Sequence, residues 1–201
     1  MTPVRVAILV SGRGSNMEAI LNASDRDDYP AKPVLVLSNR PDAKALKTAA
    51  DAGISVAAVD HKPFGKDREA FERAMQAELV EHDVEMIVLA GFMRILTPWF
   101  VEQWTDRMIN IHPSLLPKYP GLNTHQRAIE AGDEEAGCSV HWVTEGVDQG
   151  AVIAQARVPI DSGETVESLE QKVLAEEHIL YPQAVKLACA QVQSTKRKVE
   201  S

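Results

Sequence analysis

The chain has 201 residues, a length typical of one domain, and its 21 Lys and Arg against 29 Asp and Glu give a formal net charge of −8. An acidic chain argues against a nucleic-acid-binding protein, although it leaves room for a local basic pocket. No apolar run approaches the roughly 20 residues that span a bilayer. The 2 cysteines form neither a disulfide framework nor a zinc cluster. We therefore expect a cytoplasmic protein with no metal, nucleic-acid or membrane partner.

The first half of the chain alternates between β-branched apolar runs and amphipathic stretches. The predicted strands cover residues 4–10, 33–38, 54–59, 86–90 and 107–111, and the predicted helices cover 16–23, 42–52 and 67–82. This alternation indicates an α/β protein with a mostly parallel, twisted sheet and helices on both faces. Because ligands bind at the carboxyl ends of such strands, we expect the chemistry just after Val10, Ala90 and Ile111.

The pattern changes after residue 111. A loop rich in Pro and Gly reaches Gly121, a short helix covers 124–131, and two late strands, 139–143 and 151–158, are too close in sequence to be parallel. A long helix begins near Thr165, with a disturbance predicted at Pro182. Its predicted inner stripe is Val166, Leu169, Val173, Leu180, Ala184 and Leu187. Residues 194–201 are predicted to form a frayed polar tail.

Residues 11–16, Ser-Gly-Arg-Gly-Ser-Asn, lie between the first strand and the first helix. Glycines permit a tight turn, and the free N–H groups at a helix start attract phosphate. Met17 stands at the third glycine position of the dinucleotide fingerprint, and no Gly-Lys-Ser/Thr of a Walker A loop follows. We favour a phosphate site here over a plain strand–helix turn.

Asn110 and His112 end the fifth predicted strand, and alternation places them on the same side of it. An amide and an imidazole there could stabilise an oxyanion, or form a structural pair that satisfies loop backbone groups. Asp148 lies in a turn-like segment, where most aspartates bond their own backbone. A position beside His112 would instead let its carboxylate favour the charged imidazole.

Two further segments carry candidate binding residues. Apolar residues surround Arg94 in 91–96, which suits either a flat heteroaromatic ligand or a loop that caps the core. Glu176 and Glu177 fall on the apolar stripe of the last helix, where an acid needs a ligand or an arginine as partner. His125 is a possible site residue near the Pro-Gly loop, whereas His141 is predicted to be a packed or hydrogen-bonded core histidine.

Three segments together resemble the phosphoribosylglycinamide formyltransferases, the folate-dependent transformylases of purine synthesis. They are residues 11–16, residues 89–96 (Leu-Ala-Gly-Phe-Met-Arg-Ile-Leu) and residues 110–121 (Asn-Ile-His-Pro-Ser-Leu-Leu-Pro-Lys-Tyr-Pro-Gly), and the resemblance extends from Val4 to about Ala190. It implies a Rossmann-like formyltransferase fold in a single domain, 1–201. Residues 1–105 would form the phosphate-binding half, and 106–201 the catalytic and folate-binding half. It also implies an enzyme that transfers a formyl group from 10-formyltetrahydrofolate, its co-substrate, to the amine of glycinamide ribonucleotide.

The resemblance also implies individual roles. Asn110, His112 and Asp148 match the catalytic residues of the family. The residues implied to bind the ribonucleotide are Gly14, Ser15, Asn16, Leu174, Ala175, Glu176 and Glu177. The residues implied to bind the folate are Arg68, Met93, Arg94, Ile95, Leu96, Asn110, Thr144, Glu145, Gly146, Val147 and Asp148. The chain departs from the family pattern at Gln149, where glycine is usual, and at Asn123, where histidine often occurs.

Other functions share parts of this pattern. Methionyl-tRNA formyltransferase and formyltetrahydrofolate hydrolase also carry the Asn-x-His-Pro-Ser-Leu-Leu-Pro segment and a matching aspartate. The first usually has a further C-terminal domain and the second an added N-terminal domain, so length favours the glycinamide enzyme. A nucleotide-binding regulatory module would explain the phosphate loop alone. We expect small-molecule partners only, in a monomer or a homodimer.

Overall fold

The computed structural model describes residues 2–199 and shows seven strands in one sheet with six α-helices around it. The strands are β1 (Val4–Val10), β2 (Ala31–Ser38), β3 (Val56–Ala58), β4 (Met86–Leu89), β5 (Met108–His112), β6 (Glu135–Trp142) and β7 (Val152–Pro159). The helices are α1 (Ser15–Ser24), α2 (Lys44–Asp51), α3 (Arg68–Glu81), α4 (Pro98–Gln103), α5 (Thr124–Glu130) and α6 (Val166–Val199), and a 3-10 helix covers Lys62–Phe64.

The sheet has the strand order β3-β2-β1-β4-β5-β6-β7. The first five strands pair in parallel, whereas β5–β6 and β6–β7 pair antiparallel. The predicted parallel sheet with late antiparallel strands is therefore confirmed. The chain leaves β1 in one direction toward β2 and β3 and later returns on its other side as β4. This change of direction opens a crevice at the carboxyl ends of β1 and β4.

Each face of the sheet carries its own hydrophobic core, as helices on both faces require. One core joins the sheet to α1, α2, α5 and α6, with Met17, Ile20 and Tyr181 fully buried. The other joins it to α3 and α4 through Phe71 and Phe100. The hydroxyl of Tyr181 donates to the carbonyl of Leu89 at 2.7 Å, which fastens α6 to the end of β4 beside the crevice.

Helix α6 continues through Pro182, where a disturbance was predicted, and differs from the prediction in two further ways. Leu187 is 56% exposed, so its place in the inner stripe is wrong. A period of 3.6 residues carries the buried face from Ala184 to Ala188 rather than to residue 187. The helix also runs on through Val199, so the predicted frayed tail is wrong for 194–199, while 200–201 lie outside the described residues. Helical hydrogen bonds continue there although most of the side chains are exposed.

Helix α4 was not predicted, because its 6 residues are too few to show a period. Its start nevertheless has a sequence signature, a Thr followed by Pro. The hydroxyl of Thr97 accepts the backbone N–H of Phe100 at 3.4 Å and so caps the helix. Strand β6 starts at Glu135 rather than at residue 139, because antiparallel pairing with β7 extends to Pro159.

The cysteines, Cys138 and Cys189, are free and buried. Burial raises the pKa of each thiol to about 12. Among residues 2–199, none of the helices is both long and apolar enough to pass through a lipid bilayer.

Candidate active site

The end of β5 and the segment between β6 and β7 bring three predicted catalytic residues into one cluster. Nδ1 of His112 lies 3.3 Å from Oδ2 of Asp148. The same oxygen accepts the backbone N–H of Gly121 at 2.9 Å. His112 and the Asp148 side chain are almost fully buried. The structure therefore brings His112 and Asp148 together, the alternative to an Asp148 that bonds only its own turn.

Asp148 is held as a carboxylate by its surroundings. Burial on its own would raise the pKa of Asp148, but the hydrogen bond with His141, the bond from Gly121 and the charge of His112 together lower it below the usual value. The residue also has a left-handed backbone, with φ of 54°. Aspartate tolerates this conformation better than most side chains do. The turn thus aims the carboxylate at His112.

His112 has an acceptor at each ring nitrogen. Nε2 lies 2.9 Å from the carbonyl oxygen of Tyr119, in the Pro-Gly loop. Because a carbonyl only accepts, Nε2 carries a proton in this arrangement. Nδ1 faces the carboxylate of Asp148 on the other side. The imidazolium form of this ring would therefore donate from both nitrogens.

His141, predicted to be a packed or hydrogen-bonded core histidine, is one and also belongs to this cluster. It is 2% exposed, and its Nδ1 donates to the carbonyl of Trp142 at 2.8 Å. Its Nε2 lies 3.5 Å from Oδ1 of Asp148 and 3.4 Å from Nδ2 of Asn110. The signal that would have found it is register, because Asn110 and His141 are direct partners across β5 and β6.

The predicted phosphate loop leads directly into the start of α1. Gly14 is the N-cap of this helix, with φ of 85°, and no side chain of residues 2–199 bonds the first N–H groups of the helix. A Cβ at Gly14 would lie 2.5 Å from the Cβ of Ala45, so glycine is needed both for the turn and for the packing. Unbonded N–H groups at the positive end of the helix dipole are suited to an anion.

Asn16 and Glu177 join two segments that are far apart in sequence. Nδ2 of Asn16 donates to Oε2 of Glu177 at 2.6 Å. Glu177 is 7% exposed, and burial raises its pKa although the bond from Asn16 partly opposes this. Oδ1 of Asn16 is buried and has no hydrogen-bond partner among the described residues. Around Glu177, Leu174 and Glu176 are half-buried and Ala175 is exposed.

A cavity of about 470 Å³ opens above the phosphate loop at the carboxyl ends of β1, β2 and β4. Its lining includes Arg13, Arg40 and Arg94, a basic group in an acidic chain. Arg40 is paired with Asp42 at 3.0 Å, whereas Arg13 has no hydrogen bond or ion pair to any residue of 2–199. The cavity therefore has both the shape and the charge for an anionic ligand.

The segment predicted to contact a heteroaromatic ligand borders this cavity. Met93 and Ile95 are 77% and 65% exposed, and the backbone N–H of Met93 donates to the hydroxyl of Ser11 at 2.8 Å. Arg68 donates to the carbonyl of Ile95 at 3.3 Å. In the other predicted folate segment, Thr144, Glu145 and Val147 are exposed and Gly146 is half-buried. Exposed apolar side chains beside a cleft are typical of a ligand surface.

Comparison with known proteins shows the family to which the chain belongs. Residues 4–185 match the family described as "Formyl transferase". The chain belongs to that family. It is 44% identical over 179 residues to the phosphoribosylglycinamide formyltransferase of Escherichia coli K12, covering 89% of this chain and 84% of that protein. It is also 46% identical over 188 residues to the trifunctional purine biosynthetic protein adenosine-3 of Chironomus tentans, covering 92% of this chain but only 14% of that protein.

Solved structures agree with this family assignment. A phosphoribosylglycinamide formyltransferase from Brucella melitensis matches with a TM-score of 0.89 and 46% identity, covering 94% of this chain and 97% of that one. A glycinamide ribonucleotide transformylase from Symbiobacterium toebii matches with a TM-score of 0.90 and 40% identity, covering 94% of this chain and 89% of that one. The predicted formyltransferase fold is thereby confirmed.

This formyl transferase accommodates its two departures from the expected pattern. The side chain of Gln149 is exposed and lies against Gly146, and Asp148 beside it still reaches His112. Asn123 has a left-handed backbone with φ of 57° at the start of α5, a conformation that asparagine tolerates. Neither departure disturbs the cluster.

Two other predictions concern side chains outside the cluster of this formyl transferase. Burial lowers the pKa of His125 on α5, and its Nδ1 is buried without a hydrogen-bond partner in 2–199. No hydrogen bond within residues 2–199 therefore supports a site role for His125, which the sequence left open. In the part of the chain that the structure describes, no group of three or more His, Cys, Asp and Glu side chains is placed to hold a metal ion.

Proposed function

We propose that this chain transfers the formyl group of 10-formyltetrahydrofolate to the amine of glycinamide ribonucleotide, a step of purine synthesis. The products are formylglycinamide ribonucleotide and tetrahydrofolate. The observation that carries the proposal is the buried cluster of Asn110, His112 and Asp148 beside an uncapped phosphate loop, in a chain of the formyl transferase family. The chain spans only 14–18% of the trifunctional relatives, so no further activity of those proteins is proposed.

The ribonucleotide would bind between α1 and α6. Its phosphate would accept from the N–H groups of Gly14, Ser15 and Asn16, where the helix dipole favours an anion. Glu177 would accept from the ribose hydroxyls, with Leu174, Ala175 and Glu176 beside it. The unpaired Oδ1 of Asn16 supports this placement, because a buried acceptor without a partner suits a hydroxyl or amine of a ligand.

The folate would lie against the two exposed loops on the other side of the cleft. Met93, Ile95 and Leu96 would cover its flat ring system, since apolar and aromatic surfaces pack well together. Arg68 and Arg94 supply positive charge for its glutamate carboxylates. The remaining contacts would come from Thr144, Glu145, Gly146, Val147 and Asp148, and Asn110 would reach the formyl group.

The reaction joins the amine nitrogen to the formyl carbon and breaks the bond between that carbon and N10 of the folate. Negative charge develops on the formyl oxygen, where Asn110 Nδ2 and protonated His112 would donate. Removing one such donor costs about 10²–10³ in rate. Asp148 would keep His112 charged and take the proton of the amine through a water, and the same proton would return from Asp148 through that water to N10 as N10 leaves. No covalent enzyme intermediate is required.

The hydrogen bond from His112 Nε2 to the Tyr119 carbonyl adds one requirement. Nε2 of His112 must break this bond to the Tyr119 carbonyl before it can donate to the formyl oxygen. The Pro-Gly loop therefore has to move when the substrates bind. The fixed partner in this exchange is Asp148, which holds Nδ1 throughout. The carboxylate thus orients the ring while its other nitrogen changes partner.

The test is a formyl-transfer assay that follows tetrahydrofolate release with and without glycinamide ribonucleotide. We expect release that depends on the ribonucleotide, and formylglycinamide ribonucleotide as product. Release at the same rate without the ribonucleotide would identify a formyltetrahydrofolate hydrolase instead. No release, together with no binding of a folate analogue, would favour a nucleotide-binding module.

A further inference from the structure

Helix α3 contacts the segment 93–97 at three points. The guanidinium of Arg68 donates to the carbonyl of Ile95 at 3.3 Å. The guanidinium of Arg94 lies 5.4 Å from the ring centre of Phe71. The carboxylate of Glu72 accepts both the backbone N–H of Thr97, at 2.8 Å, and its hydroxyl. Residues 71 and 72 lie three and four positions after residue 68, about one helical turn, so all three side chains project from the same side of the helix.

Glu72 is an unusual residue for the inside of a protein. It is 1% exposed and has no ion pair within 4 Å among the described residues. Burial raises its pKa, which the two bonds from Thr97 and the charge of Arg68 only partly oppose. A buried carboxylate without an ion pair lowers stability. The contacts that offset this cost are the bonds from the N–H and hydroxyl of Thr97, the N-cap of α4, so the carboxylate fixes residue 97.

The segment itself has little regular structure to hold it. Residues 92–97 lie between β4 and α4, outside any helix or strand. Side chains anchor the backbone at each end, because Ser11 accepts the N–H of Met93 and Glu72 accepts the N–H of Thr97. Between these anchors lie the exposed Met93 and Ile95. Releasing one end would let these side chains move.

We propose that Glu72 is a positioning residue for the folate, which it does not touch. Its carboxylate fixes the end of segment 93–97, so that Met93 and Ile95 are presented in one geometry before the folate arrives. A pre-ordered segment loses less conformational entropy on binding. This inference rests on the proposed function, since it takes the ligand of this segment to be a folate.

The test compares Glu72→Gln with Glu69→Gln. Glutamine at 72 keeps the shape, but its amide nitrogen cannot accept, so the Thr97 hydroxyl loses its acceptor and the bond from the Thr97 N–H is no longer made to a charged group. Glu69 is the matched control, because it is an exposed acid on the same helix that pairs with Arg73. The α3–α4 contact should survive in both variants, since Arg73 also lies over Trp99 and Gln76 bonds Trp104.

The probe is a tetrahydrofolate analogue with carbon in place of N10, titrated by calorimetry. We expect its Kd to rise about five- to tenfold in Glu72→Gln and to stay at the wild-type value in Glu69→Gln. The KM for the ribonucleotide and kcat at saturating folate should change by less than about twofold. An unchanged analogue Kd would overturn the inference, as would equal rises in the KM of both substrates. If the wild-type chain binds no analogue, the result would instead contradict the proposed function itself.

A second pair of variants distinguishes an effect on folate binding from a folding defect. Thr97→Val removes the hydroxyl but keeps the backbone N–H, and Thr97→Ser keeps both donors to Glu72. We expect the analogue Kd to rise in Thr97→Val and to be restored in Thr97→Ser. If Glu72 served the fold alone, both Thr97→Val and Glu72→Gln would lower the melting temperature and leave the analogue Kd of the folded fraction unchanged.

Discussion

The cluster around His112 and the cleft around Asn16 lie at the same edge of the sheet but are built differently. In the cluster, the ring nitrogens of both histidines and both oxygens of Asp148 have partners within the protein. In the cleft, the first turn of α1 has no cap, Oδ1 of Asn16 has no partner in 2–199, and the guanidinium of Arg13 is unpaired there.

This difference separates two tasks. Groups that act on a transition state work best when their partners hold them in place beforehand. Groups that bind a substrate can be left without partners, because the ligand satisfies them. Changes in the cluster should therefore lower kcat, whereas changes in the cleft should raise the KM of one substrate.

The largest expected effect is on kcat in the cluster. Asp148→Asn should lower kcat by about 10³-fold and leave the KM for the ribonucleotide within about threefold, because the amide no longer stabilises charged His112. His112→Ala should lower kcat by about 10²–10³-fold. Asparagine tolerates the left-handed backbone at 148, so circular dichroism should show a folded protein. Near-normal kcat in Asp148→Asn would remove its proposed role.

In the cleft, Asn16→Ala should raise the KM for the ribonucleotide by about tenfold or more, because a hydrogen bond near a charged ligand is lost. The KM for the folate should stay within about twofold. Asn22→Ala is the control, since Asn22 is exposed on the same helix. Similar rises for both substrates would mean that the phosphate loop is wrongly assigned.

Glu177→Gln should make the folded protein more stable at pH 7 but weaken its binding of the ribonucleotide. The folded pKa of Glu177 is raised above its usual value of 4.5, so its ionised form costs stability that grows as the pH rises above that value. Glutamine still accepts from Asn16, and at pH 7 the melting temperature should rise by about 2–4 °C. The gain should shrink toward pH 4, and the KM for the ribonucleotide should rise. Differential scanning calorimetry at both pH values tests the sign, and a lower melting temperature at pH 7 would contradict it.

The smallest effect concerns His141. Its hydrogen bond helps to lower the pKa of Asp148, so His141→Asn should raise that pKa. Glutamine places an N–H near the position of Nε2, so His141→Gln should keep the pKa closer to the wild-type value. Carbon-13 NMR of the Asp148 carboxyl through an acid titration measures both. A pKa that does not move in His141→Asn would show that the Gly121 bond and His112 suffice.

The arrangement of the fold was predictable because alternation of strands and helices is local information. The apolar runs locate the parallel strands, and the short link between β6 and β7 indicates antiparallel pairing. The grouping of His141 with Asp148 depends on the register of β5 and β6, which periodicity does not encode. The contact between the buried carboxylate of Glu72 and Thr97 could not be predicted from the sequence either. It depends on how α3 packs against residue 97, which no local pattern shows. The prediction of a frayed tail at the end of α6 was wrong because polar composition indicates only exposure, and exposed residues can still be helical.

The two buried cysteines make this chain well suited to labelling. With a pKa of about 12, each thiol is almost entirely protonated near neutral pH, and maleimide dyes react with the thiolate. A single cysteine placed on the exposed loop, for example at Gln149, would therefore carry a fluorophore without removal of Cys138 or Cys189. Such a label would report whether residues 144–150 change their environment during turnover.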